Sequence, residues 1–111
     1  MSLDVIVQDI PAEAASPLEI PDDFQPQGLG LTRTDVLNAA RAVGGSLDVS
    51  DPTWVHWTGP GYEIELSLDD PNRSFALHCR GDADACRAAA AALVDRLGVR
   101  AFVIWDGTII G

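Results

Sequence analysis

Residues 54–80, WVHWTGPGYEIELSLDDPNRSFALHCR, decide the fold. Within them Tyr62, Ile64, Leu66 and Leu68 alternate with Glu63, Glu65 and Ser67, and Phe75, Leu77 and Cys79 alternate with Ala76, His78 and Arg80. A side-chain period of two is that of a β-strand. An apolar side opposed to a polar one is that of an antiparallel sheet with one buried and one wet face. Gly59-Pro60-Gly61 and Asp69-Asp70-Pro71-Asn72 are turn sequences, so residues 54–58, 62–68 and 74–80 read as three strands of a meander.

Towards the N-terminus, residues 46–50 read as a further short strand through Leu47 and Val49, broken by Asp51-Pro52. Before it lies a helix. Thr32 is placed to cap it, Asp35 sits near the positive end of its dipole, Val36, Leu37, Ala40 and Val43 form its apolar stripe, and Gly44-Gly45 ends it. Residues 9–31 differ from everything around them, with four of the seven prolines, the acids Asp9, Glu13, Glu19, Asp22 and Asp23, and no basic residue. That composition excludes a long regular element. The spaced Leu18, Ile20, Phe24, Leu29 and Leu31 predict an extended strap pinned to the body by its apolar side chains. The chain opens with a strand in which Leu3, Val5 and Val7 alternate with Asp4, Ile6 and Gln8.

Towards the C-terminus, Asp82 caps a second helix with Cys86, Ala89, Ala90, Leu93 and Leu97 at helical spacing and Gly98 as its stop. Its alanine run, residues 88–92, leaves a thin surface that can lie close to a sheet. The largely apolar residues 99–110 are divided by Asp106-Gly107, a two-residue hairpin signal.

The order is strand, helix, three or four strands, helix, strand. An antiparallel sheet of about five strands with two helices packed on one face satisfies both periodicities, which makes the chain a single α+β domain over residues 1–111. This order resembles the TATA-binding-protein-like β-α-β4-α architecture, and a ferredoxin-like sandwich is the nearest competing fold. The segments Ile20-Pro21-Asp22-Asp23-Phe24, Ser50-Asp51-Pro52-Thr53-Trp54, Gly59-Pro60-Gly61-Tyr62 and residues 75–81 also resemble those of small bacterial proteins to which no activity attaches. The resemblance therefore implies a fold and no chemistry.

With 111 residues, 47% of them hydrophobic, the chain can bury one core without staples. Seventeen acidic residues against seven arginines and no lysine give a net charge of −10. The arginines are scattered, so nucleic acid and anionic membrane are poor partners on electrostatic grounds, and neither is expected. No apolar run approaches the roughly 20 residues of a membrane span, and Met1-Ser2-Leu3-Asp4 lacks a basic leader, which makes the cytoplasm the expected location. Cys79 and Cys86 both fall on apolar faces and are expected to be two buried, reduced thiols, with a redox pair as the alternative.

Candidate chemistry lies on the wet face of the meander. Two strand registers are open: one sets Glu65 opposite His78 and Glu63 opposite Arg80, the other sets Glu63 opposite His78. Two carboxylates, an imidazole and a guanidinium on one surface are the raw material of acid–base work, but opposite charges across strands are also ordinary sheet stabilisation worth about 0.2–1 kcal/mol a pair. Trp54 and His56 lie on the outward side of the neighbouring strand, where Trp54 is either covered by the strap or free to contact a partner. His56, His78, Glu63 and Glu65 could ligate zinc, yet no H-E-x-x-H or C-x-x-C spacing organises them. Asp22-Asp23 and Asp69-Asp70 lack the calcium-loop pattern, and Gly28-Leu29-Gly30 and Gly59-Pro60-Gly61 do not extend to a phosphate-binding motif. No G-x-S-x-G elbow is present.

No catalytic, metal or cofactor site is therefore expected. The candidate polar surface is Trp54, His56, Glu63, Glu65, His78 and Arg80. The expected function is that of a small acidic, non-enzymatic interaction module binding another protein or forming a homodimer. The alternative is a small enzyme or ligand-binding domain with Glu65 as general base, Arg80 as anion clamp, and Trp54 and His56 as pocket walls.

Overall fold

The computed structural model describes residues 2–69, 72–104 and 106–111. The expected alternation forms strands β1 (Ser2–Gln8), β2 (Ser46–Asp48), β3 (Trp54–Gly59), β4 (Tyr62–Ser67), β5 (Phe75–Gly81), β6 (Arg100–Val103) and β7 (Ile109–Ile110), with helices α1 (Arg33–Val43) and α2 (Ala83–Leu97). All strand pairs are antiparallel, in the order β2-β3-β4-β5-β1-β6-β7. The protein is thus α+β, with seven strands where about five were expected. The count rises because the short strand read at residues 46–50 forms as β2 and the segment after Asp106-Gly107 forms as the two-residue β7, one at each edge. Short edge strands limit the unpaired backbone that a sheet offers to stray chains. Four strands separate the two helices, whereas the ferredoxin-like alternative places two there.

One face of this sheet is the core. Leu3, Val5 and Val7 from β1, Val55 and Trp57 from β3, Tyr62, Ile64 and Leu66 from β4, and Phe75, Leu77 and Cys79 from β5 join the buried helical residues Val36, Ala39, Ala40, Cys86, Ala89, Ala90, Leu93 and Val94 in one apolar cluster. The helices meet this face because their stripes are narrow: small alanines let α2 approach the strands closely. Both caps form as expected. Thr32 and Asp35 make a reciprocal capping box, Asp82 accepts from the Asp84 amide, and Gly98 ends α2 at φ 67°, a conformation glycine adopts without penalty. Trp57 adds a further tie: its indole N–H donates to the Gly44 carbonyl at the C-terminus of α1, 2.7 Å away.

Two expectations are corrected. Cys79 and Cys86 are not separate reduced thiols; they are joined in a disulfide with Cα atoms 6.0 Å apart. The tight connection through Gly81 and Asp82 folds the first turn of α2 back over the end of β5, which brings two apolar-face positions together. The strap is also pinned by only part of the set its sequence suggests, with further residues beside them. Ile10 and Ala14 are buried, and Leu29 and Leu31 pack against the core, but Leu18 is 96% exposed on a single 3-10 turn, Pro17–Glu19. Polar contacts do the rest. The Arg100 guanidinium donates to the Pro11 carbonyl at 2.5 Å, and the Gln27 amide donates to Asp9 at 3.0 Å. Buried Asn72 donates to the Leu31 carbonyl from both its backbone and its side chain, at 2.7 and 3.2 Å. The middle of the expected turn at Asp69-Asp70-Pro71-Asn72, namely Asp70 and Pro71, and Trp105 within residues 99–110 lie outside the described residues.

Candidate functional site

The register settles which side chains share the outer face. Glu65 stands opposite His78 and Glu63 opposite Arg80, the first of the two registers open from sequence. His56 stands opposite Glu65, Asp48 opposite His56, and Asp4 opposite His78. Because the outward residues of paired strands lie side by side, these pairings join into one row across five strands: Asp48, His56, Glu65, His78, Asp4. Carboxylate and imidazole alternate along it without interruption.

The contacts within the row are uneven. His78 Nδ1 lies 2.9 Å from Asp4 Oδ1. An ionised carboxylate can only accept, so this nitrogen carries the proton and donates it. His56 Nδ1 is 3.9 Å from Glu65 Oε1, an ion-pair distance too long for a hydrogen bond. All four side chains remain between 36 and 52% exposed. At the β2 end, the Asp48 carboxyl is held below its ordinary range, first by the Ser50 amide and then by the Ser50 hydroxyl. Asp51, in the following loop, is lowered in the same direction by the amides of Trp54 and Thr53.

Flanking the row on one side are Thr58, Glu63 and Arg80, which share a level along the strands. On the other side, Trp54 pairs with Ser67, and Ile6 pairs with both Ala76 and Phe102. Trp54 is 37% exposed, so the strap does not bury it; its ring leans over His78 with centroids 5.9 Å apart. All six residues singled out from sequence thus lie on one surface. Asp4 and Asp48 were missed. The outward parity of Asp4 was legible in β1, but that β1 lies against β5 depends on strand order, which no local pattern encodes.

The arrangement is a set of parallel rows. A depression of about 520 Å³ takes in Glu63 and Arg80 but sits at the β3–β4 turn among Thr58, Gly59, Gly61, Tyr62, Gly81 and Asp82. A more apolar one of about 310 Å³, lined by Ser16, Leu18, Phe102, Val103, Ile104, Asp106 and Gly107, lies at the β6 side. Among the described residues, no three histidine, cysteine or carboxylate side chains converge into a metal-binding group. The linear layout of a cross-strand row accounts for this, since successive residues sit on separate strands spaced about 4.8 Å apart. No helix among the described residues is long and apolar enough to cross a membrane. Compared with protein-family models, with curated proteins and with solved structures, the chain matches none.

Proposed function

We propose that this chain is a small acidic, non-enzymatic protein-interaction module whose contact surface is the outer face of its sheet. The observation that carries this reading is Trp54: a large aromatic side chain left 37% exposed on a sheet face that the helices do not cover, beside a row of charged and hydrogen-bonding groups. An aromatic anchor surrounded by polar groups is the composition of a protein contact surface. A net charge of −10 and the carboxylates Asp4, Asp48, Glu63 and Glu65 on this face oppose nucleic acid and anionic lipid as partners. The disulfide weighs against the cytoplasmic location expected from sequence, since cytosolic thiols are kept reduced.

The enzyme reading draws on the Asp4–His78 contact, which orients an imidazole as a general base is oriented. That imidazole is 43% exposed, which an enclosed catalytic base is not, whereas the contact-surface reading needs no enclosure.

Photo-crosslinking tests the proposal. A benzophenone amino acid is placed at position 54 on the outer face, or at exposed position 34 on α1, and the protein is irradiated in its native cells. Adducts from position 54 and not from position 34 are the expected result. Equal labelling from both, or none from either, overturns the proposal.

A further inference from the structure

The pattern of the outer face is complementary to itself. Numbered across the sheet, its strands run β2, β3, β4, β5, β1, β6, β7. A two-fold axis parallel to the strands and placed over the gap between β4 and β5 lays β4 over β5 of a second copy, β3 over β1, and β2 over β6. Such an axis keeps each level along the strands in register with itself, so the facing pairs can be read from the strand pairings alone. At the first level Glu63 meets Arg80 of the second copy. At the second, Glu65 meets His78 and Asp4 meets His56. At the third, Trp54 meets Ile6, and Ser67 meets Ala76. At these positions no like charges face each other, and the exposed tryptophan finds an aliphatic side chain.

The complementarity depends on where the axis stands. Moved by half a strand, onto β4 itself, the axis sets Glu65 against Glu65 and His56 against His78, and the match is lost. An isologous interface requires a self-complementary patch of this kind. Sheets packed face to face stay within about 30° of alignment, which preserves the pairing best near the axis, at Glu63–Arg80 and Glu65–His78.

We propose that the partner of the outer face is a second copy of this chain, docked face to face about a two-fold axis between β4 and β5. This inference rests on the interaction-module reading and names its partner. Sedimentation and light scattering of purified protein test it by charge exchange. The unmodified chain is expected to be a dimer. Glu63→Arg and Arg80→Glu each turn both symmetry-related ion pairs into repulsions and are expected to weaken association about a hundredfold. An equimolar mixture of the two variants pairs arginine at 63 with glutamate at 80 across the interface and is expected to restore the dimer.

A like-charged cross-strand pair within each single variant costs only about 0.2–1 kcal/mol, so both are expected to fold, which circular dichroism checks. Restoration on mixing also requires that both are folded. A chain that remains monomeric at about 100 µM, well above the micromolar end of standard-size interfaces, overturns the inference; so do single variants that still dimerise, or a mixture that stays monomeric. The crosslink at position 54 separates this failure from that of the broader reading. Adducts formed in cells by a chain that is monomeric when pure leave the module standing with a different partner. No adduct in either setting removes both.

Discussion

Replacing Trp57 with phenylalanine tests how the core face of the meander is fastened to the helices. Trp57 is fully buried, packs edge-on against Tyr62 with ring centroids 5.2 Å apart, and donates its indole N–H to the Gly44 carbonyl. Phenylalanine removes three ring atoms, the donor nitrogen among them. The lost apolar volume, equivalent to between two and three methylene groups, costs about 2 kcal/mol including the void left behind. The lost hydrogen bond adds about 1 kcal/mol. Gly44 is half-exposed, so water takes up its carbonyl and keeps that part at the low end. The expected total is about 3 kcal/mol. At about 2.1 cal/mol/K of unfolding entropy per residue, over 111 residues, this lowers Tm by about 13 °C.

Urea unfolding followed by circular dichroism reads the difference, with an unchanged m value showing that the denatured state is the same. Thr34→Ala is the control, because that side chain is exposed on α1, away from the outer face of the sheet. It is expected to cost under about 0.5 kcal/mol. A Trp57→Phe loss below about 1 kcal/mol, or equal losses at the two positions, would refute the assignment of Trp57 to the core and of the indole bond to the α1 terminus.

Asn72→Ala removes the acceptor of the Asp69 amide and one of two donors to the Leu31 carbonyl, at a buried position. A loss of about 2 kcal/mol is expected, with faster hydrogen exchange at the Asp69 amide; unchanged exchange there would show that Asn72 does not hold the end of the strap to the sheet. The Asp106 carboxyl is depressed from 3.8 to about 2 by the Thr108 hydroxyl, the Thr108 amide and Arg87, in that order. Its ionised form therefore favours the fold fully above pH 3.8, and this contribution is lost as pH falls through about 2. The stability advantage of the unmodified chain over Asp106→Asn should be constant above that range and shrink within it, and a difference independent of pH would contradict the assignment.

Much of this molecule was legible in its sequence because the relevant physics is local. Alternation in residues 62–68 and 75–80 marks strand faces wherever those strands end up. Thr32 with Asp35, Asp82 and Gly98 punctuate helices through bonds reaching no more than a few residues. The parity of Trp54, His56, Glu63, Glu65, His78 and Arg80 follows from the pleat alone, and that is why all six share a surface. Requiring the apolar sides of β4 and β5 to coincide fixes the parity of their register, and the observed pairing is one of those this leaves open.

What tertiary structure decided is everything that depends on which strands are neighbours. The insertion of β1 between β5 and β6 brings Asp4, 74 residues away in the chain, within 2.9 Å of His78 and completes a row that no window of sequence contains. The disulfide arises from the way a tight connection folds α2 over β5, and the exposure of Leu18 from the path of the strap. The −10 charge is fixed by composition, but the alternation of carboxylate and imidazole across five strands exists only once the strands are placed in order. Local sequence dictates the direction in which a side chain points. Long-range pairing alone dictates what it points beside.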